Sequence, residues 1–202
     1  MATTILMAVI SYCAGNINPA ILIGRLHGVD IRKEGSGNAG TTNVLRVLGK
    51  KAAAATLLVD VLKGFIPVKI GLMLGGATLG SICFACVVLG HIFPALYHFK
   101  GGKGVATSLG AALALNWQSA LLLIVVAVLL AAVTKYMSVG SIGAAVAYPF
   151  LILYFRRECL IVAILMACLV IWMHRANIGR LLRGEESKLS FGSKKTDRDT
   201  ES

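Results

Sequence analysis

The run VATSLGAALALNWQSALLLIVVAVLLAAV, Val105 to Val133, decides how often this chain crosses a membrane. At about 29 residues it is long for one ordinary span, which needs about 20, and short for two full ones. As a single helix it would carry Lys135 to the outer side, and the two apolar runs that follow would leave the C-terminal segment outside as well. That segment holds Arg175, Arg180, Arg183, Lys188, Lys194, Lys195 and Arg198, and an excess of Lys and Arg marks the cytoplasmic side. A break at Asn116-Trp117-Gln118-Ser119 makes a hairpin instead. Its descending arm, about 11 residues, spans about 16 Å at the helical rise, so it starts in the preceding glycine-rich loop, thins the membrane or is part re-entrant. The hairpin gives an all-α integral membrane fold of seven transmembrane helices, one short or part re-entrant. The N-terminus is then outside, the C-terminus cytoplasmic, and Arg156 and Arg157 fall outside.

The other spans read outward from this hairpin. Of 202 residues, 57% are hydrophobic and 14% charged, against about a quarter charged in soluble domains. The first span covers about 3–24 and contains Ser11, Asn16, Asn18 and Pro19. It lacks a basic leader, so it reads as a retained span. The second runs over about 52–74, with Asp60, Lys63 and Lys69 inside it. Asp60 and Lys63 share a helix face and can pair, and ionisable groups within a span point to function or to support of a site. A turn at 75–80 leads to the third span, about 81–97. The sixth and seventh cover about 142–155 and 159–173, with 135–141 as a cytoplasmic loop between the fifth and sixth. Residues 1–186 form one transmembrane domain. The tail, 187–202, is polar and charged and is expected to be disordered.

Net charge is +11, from 20 Lys and Arg against 9 Asp and Glu. In a membrane chain that excess faces anionic lipid or anionic substrates. Nucleic acid is disfavoured because the basic residues are scattered among apolar spans. The five cysteines all lie in apolar runs and read as small buried hydrophobes. His27, His91, His98 and His174 lack carboxylate partners at ligand spacing, so no metal is expected.

The polar residues gather in loops that this topology places on one face. Gly35-Ser36-Gly37-Asn38-Ala39-Gly40-Thr41-Thr42-Asn43-Val44-Leu45-Arg46 is glycine-dense and rich in small donors. Its backbone N–H groups suit an anion nest, strengthened if a helix starts near Thr41 or Thr42. A flexible connecting loop is the alternative. Lys100-Gly101-Gly102-Lys103-Gly104 adds point charges and close backbone approach, and His174-Arg175-Ala176-Asn177 adds a histidine and an amide. Together these suit phosphate groups bound beside lipid.

Ser36-Gly37-Asn38-Ala39-Gly40-Thr41-Thr42-Asn43, Asp60-Val61-Leu62-Lys63-Gly64, Gly90-His91-Ile92-Phe93-Pro94, Phe99-Lys100-Gly101-Gly102-Lys103-Gly104-Val105-Ala106 and His174-Arg175-Ala176-Asn177-Ile178 resemble the bacterial acyl-phosphate:glycerol-3-phosphate acyltransferases. The resemblance covers about residues 1–186, in order. Ala39 stands where many members carry proline, which implies a looser loop, and the tail is longer than in the shortest members. The resemblance implies transfer of a fatty acyl group from acyl phosphate to the 1-hydroxyl of glycerol 3-phosphate, giving lysophosphatidate and phosphate. This is the first acylation of phospholipid synthesis. It further implies no cofactor, a monomer embedded in membrane lipid, and a site facing the cytoplasm from the bacterial inner membrane.

The roles expected on that basis are these. Ser36, Gly37 and Asn38 hold the donor head group, with Thr41 and Asn43 in support. Arg46 and Lys103 clamp phosphates and offset charge at the carbonyl oxygen, and Gly102 lets the backbone approach closely. Ser141, His174 and Asn177 position glycerol 3-phosphate. His174 is the best side-chain general base; proton transfer to the donor's own phosphate is the alternative, and Ser36 as covalent nucleophile ranks third for want of an adjacent base. Lys63 and Glu185 read as scaffold. A small transporter for a phosphorylated solute, using Asp60 and Lys63 at depth, and a non-catalytic lipid-binding subunit are the competing classes.

Overall fold

Apolar surroundings force each backbone N–H and C=O to find a partner within the chain, which favours helices. The computed structural model, which describes residues 1–189, contains α1 (Ala2–Asn16), α2 (Pro19–Leu26), α3 (Thr41–Leu48), α4 (Lys50–Ile92), α5 (Val105–Leu115), α6 (Trp117–Thr134), α7 (Met137–Phe155), α8 (Leu160–Met173) and α9 (Arg175–Leu182). No strand occurs among the described residues. Four helical stretches are long and apolar enough to cross a membrane: Ala2–Leu26, Lys50–Tyr97, Trp117–Thr134 and Met137–Phe155. Arg157–Met173 and Arg175–Leu182, bent by 52°, make a fifth if counted together.

The hairpin expected at Asn116 is present. α5 has 11 residues and ends at Leu115, and Asn116 Oδ1 caps α6 by accepting from Ser119 N at 2.7 Å. The turn at 75–80 is tighter than expected. α4 departs from helical geometry at Gly75 and Gly76 alone, where Gly76 takes φ +62°, and the two arms, 50–74 and 77–92, meet across that break. The first span is broken near its C-terminal end. Ile17 and Asn18 are extended, and Asn18 restarts the helix by capping Ile21 N at 3.1 Å, ahead of Pro19.

One expectation fails in detail. The loop foreseen over 135–141 shrinks to Lys135 and Tyr136, because α7 begins at Met137 and carries Ser138 and Ser141 in its first turns. The segment after His174, for which the sequence gives no conformation, is helical, as α9. The expected tail, 187–202, lies outside the described residues beyond Leu189.

Small residues set the helix spacing, as in membrane packing generally. A Cβ on Gly110 would overlap the carbonyl of Val61, and one on Gly64 would overlap the carbonyl of Thr107, so α4 and α5 touch backbone to backbone. Gly15 and Gly90 do the same for α1 and α4. Phe84, Val87, Val88, Ile92, Ala111 and Ile152 fill the core between these crossings.

Candidate active site

The loop before α3 is built around Asn43. Its Oδ1 accepts from Ser36 N at 2.8 Å, and its Nδ2 donates to Ile31 O at 2.9 Å and Glu34 O at 3.0 Å. Gly35 sits at φ +58° directly against that amide, where a side chain would overlap Asn43 Oδ1. Asn43 is therefore the peg that shapes the nest, and its amide has little left for a substrate. α3 begins at Thr41, with no side chain capping its N-terminus. The N–H groups of Thr41 and Thr42 have no acceptor among the described residues, while Asn43 N donates to Gly40 O, and Thr41 Oγ1 is buried without a partner among the described residues. Ala39 O, between nest and helix, accepts from Asn18 Nδ2 at 3.4 Å.

The second loop folds back onto the end of α4. Gly101 N donates to Ile92 O at 3.1 Å and Gly102 N to His91 O at 3.2 Å. A side chain on Gly102 would run into the His91 ring. This docking throws Lys103 inward, where its Nζ donates to Asn177 Oδ1. Burial, together with nearby Arg180 and Arg46, brings Lys103 down to about 8, against the pull of Glu186 in the other direction.

α7, α8 and α9 close the opposite wall. His174, between α8 and α9, places Nδ1 2.8 Å from Val170 O. A carbonyl only accepts, so Nδ1 carries the hydrogen and Nε2 keeps its lone pair. Burial pushes His174 down to about 4; the Val170 hydrogen bond opposes this and the Lys103 charge adds to it. His174 is thus neutral at pH 7. Ser141 donates back to Met137 O at 3.0 Å and keeps its oxygen lone pairs.

Glu186 is the residue that sequence reasoning missed. Its carboxylate accepts from Asn177 Nδ2 at 2.6 Å, Ser138 Oγ at 3.0 Å and Arg180 Nε at 2.7 Å. Burial raises its pKa, but these hydrogen bonds outweigh that and hold it below the usual carboxylate range. The chain beyond it crosses toward the loop before α7, with Leu189 N on Lys135 O at 2.8 Å, while Arg46 Nη2 reaches Ser187 O at 3.4 Å. Asn177 is committed on both sides, to Glu186 and to Lys103.

Ser36, Asn38, Thr41, Asn43, Arg46, Lys103, Ser141, His174 and Asn177 all line one cavity of about 240 Å³, joined by Asp60, His91, Ser138 and Glu186. Gly37 and Gly102 do not line it. A second cavity of about 300 Å³ lies alongside, walled by Phe84, Leu123, Ile124, Tyr148, Met166 and Val170 among other apolar groups. The two share Leu57, Val105, Leu109, Met137 and Ser141. A cationic, donor-rich chamber thus opens sideways into an apolar groove, which fits a molecule with a phosphate head and a hydrocarbon tail.

The family model for glycerol-3-phosphate acyltransferase matches residues 5–184. The glycerol-3-phosphate acyltransferase of Clostridioides difficile strain 630 is 49% identical over 199 residues, covering 95% of this chain and 97% of that one. That of Proteus mirabilis strain HI4320 is 44% identical over 200 residues, covering 96% and 91%. The crystal structure of PlsY, an integral membrane glycerol 3-phosphate acyltransferase, in its glycerol 3-phosphate form superimposes with a TM-score of 0.90 at 38% identity, covering 93% of this chain and 96% of that one. The lysophosphatidic acid form of that protein gives 0.88 at 36% identity with the same coverage. On these matches the chain is a multi-pass membrane enzyme of lipid synthesis, and it belongs to the glycerol-3-phosphate acyltransferase family.

Proposed function

We propose that the chain transfers a fatty acyl group from acyl phosphate to the 1-hydroxyl of glycerol 3-phosphate, releasing lysophosphatidate and phosphate. The observation that carries this reading is the shared wall between the polar chamber and the apolar groove, at Val105, Leu109, Met137 and Ser141. A donor with its phosphate in the chamber and its chain in the groove has its carbonyl at that wall. The solved glycerol 3-phosphate and lysophosphatidic acid forms of PlsY support the same acceptor and product.

Ser36, Gly37, Asn38, the first turn of α3 and Thr41 cradle the donor phosphate. Arg46 and Lys103 bind the two phosphates and offset charge as the carbonyl oxygen turns anionic. Asn177, held by Glu186, aims Lys103. His174 Nε2 and Ser141 accept from the glycerol hydroxyls and turn the 1-hydroxyl toward the carbonyl. That hydroxyl oxygen bonds to the carbonyl carbon, the bond to the phosphate oxygen breaks, and the hydroxyl proton leaves on the departing phosphate. The low basicity of His174 favours this route over His174 as general base. Proximity of the two substrates supplies most of the acceleration.

The site faces the cytoplasm of the bacterial inner membrane, and seven crossings put the N-terminus outside. The protein acts as a monomer, every residue given a role here coming from one chain. Residues 1–186 form the catalytic unit. Purified protein in detergent, given glycerol 3-phosphate and either acyl phosphate or acyl coenzyme A, tests the donor: product from acyl phosphate alone is expected, and product from the thioester alone contradicts the reading.

A further inference from the structure

The motif Gly90-His91-Ile92-Phe93-Pro94 has so far served only as a platform for the lysine loop, yet His91 lines the polar cavity itself. Its ring is part of a buried cluster at the meeting of both arms of α4 and the break in the first span. Lys63 Nζ lies 2.7 Å from Asp60 Oδ1, 2.5 Å from Ile17 O and 2.8 Å from His91 Nδ1. All three side chains are buried, with Asp60 1%, Lys63 7% and His91 3% exposed.

Lysine ammonium has three N–H donors and no acceptor. Here it donates to the Ile17 carbonyl and to the His91 ring nitrogen, and Asp60 Oδ1 lies beside it as a counter-charge without a hydrogen bond of its own. His91 Nδ1 must therefore accept, and the hydrogen of the neutral ring sits on Nε2. Asp60 Oδ1, 3.4 Å from Nδ1, is beyond ordinary hydrogen-bond length and does not compete. Nε2 in turn has no hydrogen-bond partner among the described residues. It lies at the seam between the two phosphate-binding loops: the Cβ missing from Gly102 would overlap it, and that same position is 2.8 Å from Ala39 O. The ring lines the cavity, so this free N–H is reachable from it; a phosphate oxygen at the seam would accept from it, and glycine at 102 leaves the approach open.

We propose that His91 Nε2–H is a ligand of the donor phosphate, held in the donating tautomer by Lys63. This rests on the reading that the chamber takes acyl phosphate. Lys63 and Asp60 are positioning residues: they act through His91 and through the Ile17 carbonyl, which holds the first-span break where Asn18 reaches Ala39 O.

The test uses two near-isosteric replacements. His91→Asn keeps an acceptor for Lys63 and deletes the Nε2 donor; His91→Gln returns an amide N–H near the Nε2 position. His91→Asn is expected to raise the KM for acyl phosphate by about 10-fold or more, with the KM for glycerol 3-phosphate changed much less, and His91→Gln to recover most of the loss. Equal kinetics for wild type and His91→Asn would overturn the proposal, as would a loss in which both KM values move together. Nitrogen-15 NMR of histidine-labelled wild-type protein gives a second reading, with inorganic phosphate as the probe. A hydrogen on Nε2 of His91 whose resonance moves on adding phosphate is expected; a hydrogen on Nδ1, or no movement at phosphate concentrations that inhibit turnover or shift other site resonances, overturns it. Should acyl phosphate give no product with wild-type protein, the donor reading falls, and the phosphate titration still decides the role of His91.

Discussion

Glu186 Oε1 accepts from Asn177 Nδ2 at 2.6 Å, and the other end of the same amide accepts from Lys103. A carboxylate outside the spans thereby orients a lysine that lines the polar cavity. Glu186→Ala leaves Asn177 and Ser138 without their acceptor in a buried setting, a loss of about 1–3 kcal/mol per orphaned group. The expected result is at least a 10-fold fall in kcat/KM together with a lower unfolding temperature in detergent. The depressed pKa of Glu186 also sets a sign. Its stabilisation is complete above the ordinary value of 4.5, where both states are ionised, and is lost as pH falls below it, since the unfolded chain then binds more protons. Unfolding followed from pH 6 downward should show that loss in wild type and less of it in Glu186→Gln.

Burial brings Lys103 down to about 8. It is charged at pH 7 and loses its charge as pH rises through 8, so phosphate affinity should fall above that point. A bound phosphate dianion raises the pKa again. The KM for glycerol 3-phosphate is expected to climb between pH 7.5 and 9 while kcat at saturation changes less, and Lys103→Met should flatten the profile at a much reduced rate.

His174 is held neutral, with its value down to about 4. A general base contributes typically 10²- to 10⁴-fold. If phosphate takes the proton, His174→Ala should lower kcat by about 10-fold or less while raising the KM for glycerol 3-phosphate, as measured by phosphate release. A kcat loss of 10³-fold would restore His174 as the base.

Gly110 approaches the Val61 carbonyl so closely that no side chain fits. Gly110→Ala must part α4 from α5, and overpacking of this kind costs about 1–3 kcal/mol. Gly179, on α9, has only the mobile end of Arg183 near it, at 3.4 Å, so Gly179→Ala should be neutral or stabilise by up to about 1 kcal/mol through helix propensity. Thermal unfolding in detergent separates the two.

The proposed seven-crossing topology is tested in intact cells. A cysteine in place of Gln118 should react with an impermeant maleimide, and one in place of Glu34 should react only after lysis. The reverse pattern contradicts the orientation.

Much of this architecture is legible in the sequence, for physical reasons that differ by element. Asn116 followed by Ser119 is a helix-start signal strong enough to split an apolar run, and the split is there. The start of α3 at Thr41 was conditional on sequence alone, and the glycine-rich loop makes it real. Polar residues after Lys135 read as a connection, which puts Ser138 and Ser141 in a loop on sequence alone. Their hydroxyls instead turn inward from α7, satisfied by Glu186 and Met137 O. Glu186 was invisible because Arg183-Gly184-Glu185-Glu186 has the composition of a solvated tail. Only the chain's fold back over α9, with Leu189 on Lys135, shows that one of two adjacent glutamates is buried. The three-way coordination of Lys63 was likewise out of reach: the i,i+3 spacing gives Asp60, but Ile17 and His91 come from distant parts of the chain.

The central claim is that a phosphate-binding chamber and an acyl groove meet at one wall and join their two occupants there. The most direct measurement incubates purified protein with acyl phosphate and glycerol 3-phosphate, and counts lysophosphatidate and inorganic phosphate over time. The account predicts both products in equal amounts, each dependent on the presence of both substrates. Phosphate released without lysophosphatidate, or no turnover at all from protein that still binds both substrates, would contradict it.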